Sequence, residues 1–163
     1  MFPIVLFSGL LLAAALLIPS LAGKLPDIVA VHFNAAGAAN GFATRAQCRS
    51  FMLAFTLGAP LIVAAVTGIL PRLLPASMIN IPNRGYWLAP ERAAESIAFM
   101  SEQGVWFGCI FLMFLYGVDW MLVAANSSVP PTLDSKWFIV MLVIFFGSIC
   151  CLMLRMFRRF RAP

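Results

Sequence analysis

The chain has 163 residues, of which 63% are hydrophobic and only 10% charged, against roughly a quarter charged in an ordinary soluble domain. Too little polar surface is available to clothe a water-solvated globule, and a mean hydropathy of +0.97 reflects four separate apolar runs rather than one greasy tail. The formal net charge of +5 does not point to nucleic acid, because Arg155, Arg158, Arg159 and Arg161 directly follow an apolar run, a placement that suits anionic phospholipid headgroups.

The first uncharged stretch runs from Met1 to Gly23, and a helix needs about 20 mainly apolar residues to cross the hydrocarbon core. A secretory signal would begin with basic residues and have a shorter apolar centre. This stretch is therefore expected to be a retained helix near 3–22.

An outer loop, 23–49, follows. Pro26 stops the helix, and Ile28, Val29 and Val31 suit a short extended segment. Gly37 and Asn40-Gly41 favour tight turns, and Thr44 with Gln47 matches a capping box at the start of the next helix. Regular alternation would put Ile28, Ala30 and His32 on one face and Val29, Val31 and Phe33 on the other, making His32 the polar tip of an apolar ledge. The plainest reading of a lone histidine is that it ties the loop to itself. The alternatives are a proton-sensitive or ligand contact, and a metal site would need Asp27, Asp119 or Asp134 to converge from separate segments. Neither metal nor cofactor is expected.

The second span is expected near 50–71. Gly58 and Pro60 are candidates for a kink, and Ala54, Gly58, Ala65 and Gly68 would let a neighbouring helix approach closely. In the inner loop, 72–103, Pro71, Pro75, Pro82 and Pro90 preclude a continuous helix, while Tyr86 and Trp87 fit the headgroup layer. Asn83, Arg84, Tyr86, Trp87, Glu91 and Arg92 are the candidates for docking an inner partner. Pro90 with Glu91 in the first turn marks the start of the third helix, which is expected to project before it enters the membrane, with a weak Arg92–Glu95 pairing on its surface.

The third span, near 104–125, carries Asp119. An acid inside a membrane segment is by default a functional-site hypothesis. Its expected shallow depth equally allows pairing with Lys136, Arg45 or water, and both readings stand. The fourth span is expected near 137–155, and the basic tail, 155–163, alternates Arg155, Arg158, Arg159 and Arg161 with bulky apolar residues, as suits anchoring at an anionic leaflet. Cys48, Cys109, Cys150 and Cys151 lack metal-ligand spacing and read as small apolar residues. Basic residues are retained on the cytoplasmic side. Arg72, Arg84, Arg92 and the four tail arginines outweigh Lys24, Arg45, Arg49 and Lys136, so both termini are expected to be cytoplasmic, with 23–49 and 126–136 outside. The sequence thus predicts one all-α integral membrane domain: four transmembrane helices with an ordered, partly extended outer loop.

Leu25-Pro26, His32-Phe33-Asn34, Gly37 and Asn40-Gly41 resemble the short domain of unknown function found in the SdpI-type bacterial immunity proteins, over roughly residues 1–70. The 80–92 segment is similar to one in short relatives of that family, with Gly85 where an acid often stands. The resemblance implies a multi-pass protein of the bacterial cytoplasmic membrane with a receptor, immunity or signalling role. His32, Asn34, Asp27, Gly37 and Gly41 would then form the outer contact. The alternative is an accessory or assembly subunit of a larger membrane complex, with a protein partner or a homo-oligomer. No nucleophile elbow, phosphate-binding loop or HExxH pairing is present, which disfavours an enzyme and leaves no catalytic residue to name. A transporter is disfavoured by the single internal carboxylate.

Overall fold

The computed structural model describes residues 2–161; positions 162–163 of the basic tail lie outside them. In chain order the elements are α1 (Phe2–Ala22), β1 (Ile28–Phe33), β2 (Ala39–Thr44), α2 (Arg45–Leu73), a 3-10 turn (Ala76–Met78), α3 (Arg84–Trp87), α4 (Pro90–Ala125) and α5 (Ser135–Arg159). Helices α1, α2, α4 and α5 are each long and apolar enough to cross a membrane. The chain is an all-α, multi-pass membrane protein that carries one small two-stranded sheet.

Local chemistry sets the boundaries. Helix α2 starts at Arg45, before its apolar run, because the expected capping box forms: Thr44 Oγ1 accepts from the Gln47 amide at 3.3 Å, and Gln47 Oε1 accepts from the Thr44 amide at 3.0 Å. Helix α4 opens with Pro90 in its first turn, where the missing amide costs nothing. Its 36 residues extend about 54 Å at 1.5 Å each, longer than a hydrocarbon core of about 30 Å.

Helices α2 and α4 form the centre of the bundle. The buried residues of α2 are Cys48, Met52, Thr56, Pro60, Ala64 and Gly68, one every four positions, which is the ridge that packs into a neighbour's groove. Opposite them α4 buries Gly104, Gly108, Leu112, Leu115 and Asp119. A Cβ added to Gly108 would lie 2.7 Å from the Ala64 Cβ, and one on Gly104 would collide with the backbone of Thr67 and Gly68. Gly104-x-x-x-Gly108 therefore faces Ala64-x-x-x-Gly68, a pair of small-residue surfaces that lets the backbones approach. Of the small residues expected to serve this contact, Gly68 does so. Ala54 is exposed and Gly58 has open space beside it, because the buried stripe follows the register of Thr56 instead.

Helix α1 lays Phe7, Ala14, Ile18 and Leu21 against this pair. Helix α5 packs along α4, with Phe145 stacked 4.3 Å from Phe114, yet contributes no buried residue.

Strands β1 and β2 pair antiparallel, Ile28 with Thr44 and Ala30 with Phe42, but the register slips on both sides of His32, which faces Gly41. The regular alternation expected for this segment is therefore broken. Val31 and His32, where the register slips, are both exposed, since a bulged residue resets the faces of a strand; Val29 and Ala30, still in regular register, are both buried.

Candidate functional site

The sequence-predicted outer residues come together in this hairpin. Asn34 Oδ1 accepts from the amides of Ala36 and Ala38, each at 3.0 Å, closing the turn. Gly37 sits in that turn at φ +80°, a conformation that costs glycine little. A Cβ there would also strike the Leu133 carbonyl. The Leu133 amide donates to the Gly37 carbonyl at 2.9 Å, which ties the hairpin tip to the α4–α5 connection. Gly41 leaves room for the neighbouring histidine, since a Cβ would lie 2.8 Å from His32 Cβ. The exposed His32 ring is hydrogen-bonded through Nδ1 to Asn40 Oδ1. At the base Asp27 pairs with Arg45 at 2.9 Å; with Asp27 94% exposed, such a pair contributes at most about 1 kcal/mol.

One residue that sequence reasoning missed anchors this hairpin to the bundle. Asn126, at the C-cap of α4, accepts from the Ala30 amide at 2.8 Å and donates to the Ala30 carbonyl at 2.9 Å, occupying both backbone groups as a third strand would. The only signal was an amide side chain directly after a helix. Held in this way, the hairpin leaves Ile28 (61%), Phe42 (58%), Val31 and His32 exposed.

The three carboxylates considered as metal partners for His32 are engaged separately. Asp27 pairs with Arg45, Asp134 caps α5 by accepting from the Lys136 amide at 3.0 Å, and Asp119 accepts from Thr56. Asp119 is not paired with Lys136 or Arg45. It is buried between α2 and α4, and Thr56 Oγ1 donates to its Oδ2 at 2.7 Å. It lies six residues inside the end of α4, about 9 Å of helix, and the four-residue ridge of α2 brings the short Thr56 hydroxyl opposite. Thr56 was legible only as a polar residue in an apolar run.

At the other end of the bundle, residues of the segment between α2 and α4 hold the chain's own C-terminal segment. Asn83, at φ 53° before α3, donates to the Phe160 carbonyl at 3.0 Å, and Trp87 Nε1 donates to the Arg161 carbonyl at 3.1 Å. The Arg159 guanidinium lies 4.3 Å above the Trp87 ring and 2.8 Å from Glu95 Oε1. Glu95 is thus paired with Arg159 and not with Arg92, which instead stacks 3.8 Å over Tyr86 and donates to its carbonyl at 2.9 Å. Arg84 donates to the Ser77 carbonyl at 2.8 Å. Glu91, Arg155, Arg158 and Arg161 are exposed and form no ion pair among the described residues.

No curated protein matches the chain, and no solved structure does. The stretch from inside α1, through the hairpin, to the residue after Thr56 is what carries a likeness: residues 9–57 match the family model described as a domain of unknown function, DUF1648.

Proposed function

We propose that this chain is a receptor- or immunity-like membrane protein of the SdpI type, resident in the bacterial cytoplasmic membrane with both termini in the cytoplasm. The outer hairpin meets a peptide, lipid or protein partner, and the inner loop relays or docks. The observation that carries this reading is the contrast within the hairpin. Asn34, Gly37, Gly41 and Asn126 are spent on holding it rigid, while His32, Ile28, Val31 and Phe42 are left exposed on it. Preorganised apolar and aromatic surface beside a polar tip is what recognition uses. The match of residues 9–57 to a domain of unknown function supports treating the hairpin as the unit that matters. Arg155, Arg158 and Arg161 contact anionic headgroups in this reading.

A photocrosslinking side chain at Val31 or Phe42 in native membranes is expected to give a defined adduct that His32→Ala weakens without lowering membrane levels. Absence of any adduct, or an adduct indifferent to His32, would sink the proposal. Asn34→Ala is the wrong probe, because it opens the turn itself.

A second reading, an accessory subunit of a larger complex or a homo-oligomer, is favoured by α5. No residue of that helix is fully buried within the chain, and it exposes Ile139, Val143, Ile144, Phe146 and Phe157. It requires co-purification in mild detergent at fixed stoichiometry, and a chain that purifies alone counts against it.

A further inference from the structure

A cavity of about 640 Å³ lies at the end of the bundle that bears the basic tail. It is bounded by α2, the inner loop, α4 and α5, and its walls are apolar: Leu70, Ile81, Met100, Phe107, Ile149 and Met156. One polar side chain in that wall stands out. Gln103 is 5% exposed, and neither its amide nitrogen nor its amide oxygen has a hydrogen-bond partner. Burying an amide without partners is costly, and in hydrocarbon no water offsets the cost.

We propose that this cavity binds a single anionic glycerophospholipid, with an acyl chain along the apolar walls and the glycerol region at Gln103. Three observations select that occupant. Depth is the first: Gln103 directly follows Glu102, the last charged residue before the uncharged run that ends at Val118, so it lies where hydrocarbon gives way to the ester layer. Hydrogen bonding is the second. The Gln103 amide offers a donor and an acceptor together; the donor matches an ester carbonyl, the acceptor a headgroup hydroxyl. Gln103 lines the cavity, and the broad terminal torsion of glutamine allows its amide to reorient toward a bound lipid. Charge is the third. Met156 and Phe157 line the site, and the neighbouring Arg155 and Arg158 are exposed and make no ion pair among the described residues. An anionic headgroup at that edge meets complementary charge.

The test is native mass spectrometry of the full chain in mild detergent, titrated with phosphatidylglycerol or with phosphatidylcholine carrying the same acyl chains. One phosphatidylglycerol per chain should bind, several-fold more tightly than phosphatidylcholine. Gln103→Leu should weaken that binding about tenfold, which is about 1.4 kcal/mol. Leucine is one atom shorter than glutamine at closely similar volume and removes the unpartnered amide, so folding is preserved, with circular dichroism as the check. Met153→Trp, which fills the cavity from an exposed wall position, should weaken binding likewise, whereas Val143→Trp, elsewhere on α5, should not. Equal binding by Gln103→Leu and the native chain would overturn the proposal. So would non-saturating uptake of both lipids alike, the signature of an ordinary lipid annulus, or a dimer that only the cavity variants dissociate, which would make a second copy the occupant.

Discussion

A carboxyl group between two membrane helices persists only where something donates to it, and at Asp119 the donor is the Thr56 hydroxyl at 2.7 Å. Hydrogen bonds between membrane helices contribute about 0.6–1.7 kcal/mol. Leaving the acceptor buried without a donor adds its desolvation cost. Thr56→Val, which preserves shape, is therefore expected to lower stability by about 1–2 kcal/mol, read as the midpoint of thermal unfolding in detergent. The double variant Thr56→Val with Asp119→Leu should recover most of that loss. A Thr56→Val protein as stable as the native chain would show that the pair carries no weight. His32 belongs to a different environment: it is exposed and, among the described residues, its ring is hydrogen-bonded to Asn40 alone, across a bulge, so the ring is positioned without being enclosed.

Elements in this protein meet through what their side chains lack. Gly104 and Gly108 of α4 sit against Thr67, Gly68 and Ala64 of α2 so closely that no Cβ fits. Gly108→Leu must push the helices apart, and a loss of about 1–3 kcal/mol is expected, the usual cost of overpacking a tight contact. Gly58, on the same α2 helix but with open space beside it, gives the contrast. Gly58→Ala should be neutral or stabilise by up to about 1 kcal/mol, because alanine is the better helix former. Comparable losses from both substitutions, measured in the same detergent, would contradict the small-residue interface. The hairpin is held by an analogous economy. It is too small to be stable alone, and Asn126 supplies from α4 the pairing that β1 would otherwise find in another strand.

At the scale of the molecule, the helices run alternately up and down, so the hairpin and the α4–α5 connection share one end and the 74–89 segment the other. In a cysteine-free background, Lys24→Cys and Ser127→Cys should be labelled by an impermeant thiol reagent from one side of sealed vesicles, and Ser77→Cys only from the other. Labelling of Lys24→Cys and Ser77→Cys from the same side would break the four-span arrangement. The second end is closed by the chain itself: Asn83, Trp87 and Glu95 hold Phe160, Arg161 and Arg159. That clamp spans more than 60 positions of sequence, which is why those loop residues read in the sequence as unpartnered candidates for docking. The four long apolar helices, the capping box, the start of α4 at Pro90 and an ordered loop between the first two long helices were all legible beforehand. Apolar run length, cap chemistry and proline placement act within a few residues, and hydrocarbon forces the backbone of each run to satisfy itself. Which face of each helix is buried, which residue donates to Asp119, where the strand bulges and what Asn126 and Trp87 hold were decided only by tertiary structure. Those outcomes depend on which side chains from distant segments come opposite one another, and in a chain this uniformly apolar the helical periodicity carries little of that information.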